Sequence, residues 1–228
     1  EGIETGGEGG RGGGAGLRCE IDGGVDQQPG RTAVHRHPGG GPHLDVEAAG
    51  KSTDSKGRIK MLFEPHIFYR NLSGAKRDQA VKAGLAYKSW KRNYPKDSYP
   101  RFLKACEIDE TAAYKACSWG FPQILGENHE LAGYDTPQAM VKDMLTNEDV
   151  QLQAMVNFIK NAGLDDELRV IEKKVRAGQK VTADDCRAFV RGYNGSGYAK
   201  NDYHTKLARA VNKWANIPDT PWAPGDED

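Results

Sequence analysis

The sequence predicts a mainly α domain with one small β element near residue 60, on three observations. From about residue 54 onward, apolar residues recur at helical spacing between recognisable caps. One short stretch, 58–63, alternates instead of following the helical period. In the first 50 residues neither period is present: 16 of the 28 glycines fall there, and no aromatic residue precedes Phe63. A segment so poor in large apolar side chains cannot bury enough surface to offset its ordering entropy. The core must come from the rest of the chain.

Taken in order, residues 1–43 form a Gly/Arg/Pro/His tract that fits a linker, a basic tail, or GC-rich coding sequence read out of frame. Residues 44–49 could end a helix stopped by Gly50, and Asp54-Ser55-Lys56-Gly57 signals a turn. In 58–63, Ile59, Met61 and Phe63 alternate with Arg58, Lys60 and Leu62, the pattern of a short strand. Pro65 takes the first position of a helix carrying His66, Ile67, Phe68 and Tyr69. Asp109 caps a helix expected to run through Ser118 and to end at Gly120. Thr136-Pro137 opens another. Asn147 caps a long amphipathic helix with Met155, Val156, Phe158 and Ile159 inward, ended by Gly163. Residues 165–176 form the next. Thr182, with Asp185 three positions on, caps a helix through Tyr193, and 202–214 is the last. The expected organisation is 1–43 as an atypical segment, 44–216 as the folded domain, and 217–228 as a Pro/acidic tail.

Charge is balanced overall, 32 Lys and Arg against 32 Asp and Glu, yet residues 70–104 hold ten basic side chains and two acidic ones. That stretch is either a solvated helical face or a patch for an anionic envelope. The aromatic interleaving there, Tyr87, Trp90 and Tyr94, is too thin to argue for nucleic acid, and none is expected as a partner. No apolar run of 18 residues exists, which excludes a membrane-spanning helix, and no charged-then-apolar leader is present. Cys106, Cys117 and Cys186 sit in apolar-periodic stretches without metal spacing, as small buried hydrophobes. His35, His37 and His43 lack a helix-borne partner pattern, so no metal and no cofactor is expected.

Three groups could carry chemistry. Glu47 and Glu64 flank the turn and strand, and glycoside hydrolysis needs two carboxyl groups. One protonates the leaving oxygen; the other steadies the oxocarbenium-like centre, activates water or attacks. In Ser118-Trp119-Gly120-Phe121-Pro122-Gln123, the indole could pack on a pyranose and the Gln123 amide bond its hydroxyl or N-acetyl groups, though Trp119 could equally close a helix end in the core. Tyr193, Asn194 and Tyr198, in a turn-rich Tyr-Asn-Gly-Ser-Gly-Tyr run, could line a far wall or form an ordinary interhelix loop.

These residues carry a resemblance. The run 57–206 is similar to the N-acetylmuramidase domain of phage endolysins. The matching pieces are Leu62-Phe63-Glu64-Pro65-His66-Ile67-Phe68-Tyr69-Arg70, Ser118-Trp119-Gly120 with Gln123-Ile124 and Gly126, Ala132-Gly133-Tyr134, and Arg191-Gly192-Tyr193-Asn194-Gly195 with Gly197-Tyr198. The resemblance implies a lysozyme-like α+β fold with the hairpin beside the catalytic cleft. It also implies cleavage of the β-1,4 bond between N-acetylmuramic acid and N-acetylglucosamine, with Glu47 as general acid and Glu64 as second carboxylate. Trp119, Gln123, Tyr193, Asn194 and Tyr198 would then contact substrate. Val46-Glu47-Ala48-Ala49-Gly50 departs from the family pattern in carrying Ala48 for Ser, with no full helix before Glu47. Peptidoglycan is the expected partner, a monomer the expected state, and synthesis in a host cytosol with action on the wall the expected setting. A lytic transglycosylase on the same bond, or an inactive peptidoglycan-binding relative, are the alternatives.

Overall fold

Caps and proline positions set most helix starts in this domain, and β pairing redirects the chain at one place where helix was expected. The computed structural model describes residues 52–91 and 93–216. The first described residues form a tight hairpin: Thr53 bridges Ile59, and the Asp54 carbonyl accepts the Gly57 N–H at 3.1 Å. Gly57 takes φ +74°, which only glycine adopts without strain. The chain then enters β1 (Met61–Phe63) and α1 (Pro65–Asn71), followed by α2 (Gly74–Lys82) and α3 (Tyr99–Cys106). Next come α4 (Glu110–Lys115), β2 (Cys117–Trp119) and β3 (Ile124–Leu125). After a 3-10 turn at Gly126–Asn128 lie α5 (Pro137–Met144), α6 (Glu148–Asn161), α7 (Asp165–Arg176) and α8 (Arg187–Asn194). A second 3-10 turn, Ser196–Asn201, leads into α9 (Tyr203–Ala215).

The mainly helical expectation holds, and the expected caps are in place. Asp109, Thr136 and Asn147 each accept a backbone N–H three residues on, at 2.9, 3.1 and 2.9 Å. Two boundaries differ. The helix expected through Ser118 ends at Lys115, and 117–119 is a strand. The reason is tertiary: β1 offers an unpaired edge, and pairing with it outweighs the local helical preference of a short Ala-rich run. The β element is therefore a three-stranded antiparallel sheet, β1-β2-β3, rather than one hairpin. The helix expected from Thr182 begins at Arg187. Thr182 and Asp185 still exchange the reciprocal cap bonds, 2.8 and 3.4 Å, but they close a turn ahead of the helix.

The sheet sits on an aromatic cluster. In β2 opposite β1, Met61 faces Trp119, Leu62 faces Ser118 and Phe63 faces Cys117. Alternation sends Phe63, Cys117 and Trp119 into the core, all fully buried. There the Trp119 ring stacks on Tyr114 at 5.6 Å while Phe102 meets both rings edge-on. Phe63 packs edge-on against Phe68 of α1 at 5.5 Å. A second cluster, Phe158, Phe189 and Tyr193, joins α6 to α8. Cys117 and Cys186 are buried as expected, whereas Cys106, at the end of α3, is only partly so. No helix among the described residues is long and apolar enough to cross a membrane.

Candidate active site

Strand β1 runs into helix α1 with one residue between them, and that residue is Glu64. Its backbone is extended and fully occupied: the N–H donates to the Ala116 carbonyl at 2.8 Å, and the carbonyl accepts from Ile67 and Phe68 at 3.0 Å. Glu64 is the N-cap residue of α1 but makes no side-chain cap bond. Pro65 at the first helical position has no N–H to satisfy, so capping demand is low. The carboxylate is thus left for other work. Alternation from buried Phe63 puts it on the opposite face of the sheet, with Leu62 and Ser118.

Around that carboxylate the structure gathers residues that sequence reasoning did not assign. The Ser118 hydroxyl lies 3.4 Å from Oε1 and the Tyr94 hydroxyl 3.5 Å from Oε2. His66 Nε2 is 3.8 Å from Oε2, and its buried Nδ1 has no hydrogen-bond partner among the described residues. Only 20% of the Glu64 side chain is exposed. Burial pushes the carboxyl above its ordinary range; the Ser118 and Tyr94 hydroxyls and the Arg70 charge pull it down, and Glu127 adds to the rise. Both hydroxyl contacts are long, which is why desolvation wins. Burial and the Arg70 charge hold His66 below its ordinary value, so it stands beside Glu64 as a neutral imidazole at neutral pH. The Tyr94 hydroxyl is pushed up to about 12 by burial and by the charge of Glu64, with a hydrogen bond from Trp90 acting the other way. It remains a donor throughout the useful pH range.

A second carboxylate, Glu127, completes the electrostatic frame. Arg70 Nε donates to its Oε1 at 2.9 Å, a second guanidinium nitrogen meets Oε2, and Asn71 Nδ2 donates at 2.7 Å. Burial alone would raise Glu127, but these donors outweigh it and hold the group ionised below its usual range. Glu64 and Glu127 therefore sit on opposite sides of the carboxylate range, pushed apart by their surroundings.

The segment bringing Tyr94 in is clamped from outside. Asp97 accepts from Lys56 and from Arg58, both at 3.0 Å, and Arg58 is also held by Asp54. Lys56 pulls the Asp97 carboxyl down to about 2. Arg58 lies over the Tyr99 ring at 3.9 Å. An open depression lined by Asp54, Lys56, Arg58, Lys96 and Asp97 lies at this clamp and does not include Glu64.

The remaining expected site residues fall as follows. Glu47 lies outside the described residues, as do His35, His37 and His43. Trp119 is a correction: it is fully buried, stacked on Tyr114, and its Nε1 donates to the Tyr114 carbonyl at 3.1 Å. It offers no face to a sugar and instead anchors the strand carrying Ser118. Gln123 is half-buried in the left-handed region at φ 51°, its amide bonded to the Gly120 carbonyl at 2.7 Å. The Tyr193 hydroxyl donates to the Pro122 carbonyl at 3.0 Å, which joins the end of α8 to the loop after β2. Asn194 is the last residue of α8 rather than a loop residue. Tyr198 lies in the following 3-10 turn, edge-on to His204 at 5.4 Å. A further residue escaped notice: buried Gln151 accepts the Phe121 N–H at 2.9 Å and donates to the Met144 carbonyl at 2.9 Å, fixing the loop to α6.

Comparison with known proteins follows this geometry. The N-acetylmuramidase family model matches residues 43–215. Among solved structures, the crystal structure of the Burkholderia AP3 phage endolysin is similar, with 31% sequence identity and a TM-score of 0.61. The match covers 77% of this chain and 64% of that endolysin, so the chain spans less than two thirds of its neighbour's length. No curated protein matches the chain.

Proposed function

The chain belongs to the N-acetylmuramidase family, and on that footing we propose that it hydrolyses the β-1,4 bond between N-acetylmuramic acid and N-acetylglucosamine in peptidoglycan, lysing the bacterial cell. The observation that carries the reading is Glu64: a carboxyl at a strand–helix junction, freed from capping, mostly buried and raised above its ordinary range. Such a carboxyl binds protons more readily than a surface one, which suits a group that exchanges protons in the reaction.

In the proposed reaction, Glu47 gives its proton to the oxygen leaving the muramic acid anomeric carbon. The C–O bond breaks, a water oxygen bonds to that carbon, and Glu64 takes the water's proton. The raised proton affinity of Glu64 suits a proton-exchanging role over a purely electrostatic one. Gln123, Tyr193, Asn194 and Tyr198 are retained as substrate-facing candidates; Trp119 is not.

Mass spectrometry of digested peptidoglycan tests the reading. New reducing-end muramic acid released by the wild type, and lost in Glu64→Gln, is the expected result. A 1,6-anhydro product would replace hydrolysis with transglycosylation. Equal digestion by both proteins would remove Glu64 from the reaction, and no digestion by either would leave a binding protein.

A further inference from the structure

Trp90 is the only aromatic residue among the exposed large hydrophobic side chains of the described residues, with 57% of its surface open. A lone exposed Leu or Val needs no explanation, but a Trp displayed on a loop costs apolar surface that a buried position would recover. The loop is built to hold it there. Tyr87 donates to Asn93 Oδ1 at 2.5 Å, Lys91 sits over the Tyr87 ring at 4.9 Å, and Arg101 reaches the Asn93 carbonyl at 3.3 Å. The Asp97 clamp to Lys56 and Arg58 fixes the loop's far end.

Position gives this exposure a use. The Trp90 and Tyr94 rings lie 6.5 Å apart with their planes tilted by 56°, and the Tyr94 hydroxyl is the group that reaches Glu64. The indole is therefore one side chain removed from the buried carboxylate. We propose that Trp90 is a sugar-stacking subsite of the glycan-binding surface: its open face packs on a pyranose ring of the peptidoglycan strand near the scissile bond, taking the part expected of Trp119. This assignment rests on the muramidase reading of Glu64. The chemistry is that of any amphipathic ring on a flat aromatic face: C–H groups against the π surface, hydroxyl groups outward to water. The nearby Lys88 and Lys91 would meet the carboxylates of the stem peptides that muramic acid carries.

The test separates binding from turnover. Glu64→Gln protein is titrated calorimetrically with soluble, uncross-linked glycan strands of alternating N-acetylglucosamine and N-acetylmuramic acid. Adding Trp90→Ala should weaken binding about tenfold, while adding Trp90→Phe should cost less than about threefold, as expected for loss and partial retention of one stacking contact. In the otherwise wild-type enzyme, Trp90→Ala should raise KM about tenfold and Trp90→Phe less than about threefold; both lose the indole hydrogen bond to Tyr94, so a kcat change common to the two belongs to that bond and not to stacking. A structural role would instead lower Tm, and an exposed side chain should not. Unchanged glycan affinity in Trp90→Ala overturns the proposal, as does a Glu64→Gln protein that binds no glycan. Loss of binding to phosphatidylglycerol vesicles with glycan affinity intact also overturns it, making Trp90 a lipid contact. A wild type that binds glycan through Trp90 but releases no fragments would sink the muramidase reading while supporting the subsite.

Discussion

The Tyr94 hydroxyl meets Oε2 of Glu64 at 3.5 Å across a separation of 30 residues, with the Ser118 hydroxyl at 3.4 Å on Oε1. Both contacts are near the limit of a useful hydrogen bond. A carboxylate gripped by short donors would be held ionised, as Glu127 is by Arg70 and Asn71. Glu64 is instead buried with slack donors, and its proton affinity rises.

Replacing Glu64 by Gln preserves shape and removes the titrating group. The side chain makes no cap bond and touches Ser118 and Tyr94 only loosely, so folding should be retained. Release of reducing ends from purified peptidoglycan should fall by about 10²–10⁴-fold, the usual worth of a proton-transferring side chain. Residual activity above a tenth of wild type, with Tm unchanged, would mean that another group does this work.

Stability should also report Glu64. Its folded pKa lies above the unfolded value, so the native state binds more protons than the unfolded chain between the two. Unfolding free energy from this group is therefore greatest below the unfolded Glu range. It declines as pH rises from about 4.5 through the raised folded value, then stays level. Urea melts across this window should show the decline in wild type and its loss in Glu64→Gln. An equal slope in both proteins would show that burial does not perturb Glu64.

What the sequence disclosed follows from range. Glu64 is legible because its signals are contiguous: the Leu62-Phe63-Glu64-Pro65 run that carries the resemblance, the alternating stretch before it and the Pro65 helix start lie within a few residues. Local spacing puts Ser118 on a helix, because the pairing that makes 117–119 a strand is with residues 61–63. Trp119 beside Gly120 and Pro122 reads either as a sugar-facing aromatic or as a core Trp closing a helix end. Only the register, which sends it to the Phe63 side, shows that it is core. Tyr94 and Gln151 carry no local signal at all: each acts through one long-range contact, and nothing in a Lys/Asn/Pro-rich loop or mid-helix announces it.

Tyr94→Phe and Ser118→Ala each remove a donor that favours the ionised form of Glu64. The pKa of Glu64 should rise further in each variant and most in the double variant, displacing the corresponding limb of the kcat/KM–pH profile to higher pH. The shifts should be modest, a few tenths of a pH unit each, because the bonds are long. A downward shift in either variant would show that the hydroxyl accepts from a protonated Glu64 rather than donates to a carboxylate.

Among the described glycines, Gly126 has the closest backbone neighbour to an added Cβ. Its φ is ordinary, so backbone freedom is not the issue; space is. A Cβ there would stand 2.1 Å from the Tyr114 carbonyl oxygen and 3.0 Å from Lys115 Cα, backbone atoms that no rotamer can move. That carbonyl accepts the Trp119 indole, and Tyr114 supplies the ring on which Trp119 stacks. Pushing it aside would disturb the strand that places Ser118 beneath Glu64. Gly126→Ala should therefore cost about 2–3 kcal/mol or more, lowering Tm by roughly 5–10 °C, and should reduce activity even at temperatures where the protein is folded. Gly84→Ala is the control: its φ of +70° imposes strain, but no atom lies within 4 Å of the added carbon. It should cost about 1 kcal/mol and leave kcat unchanged. If the two variants lose equal stability, the close approach at Gly126 is not what fixes the sheet.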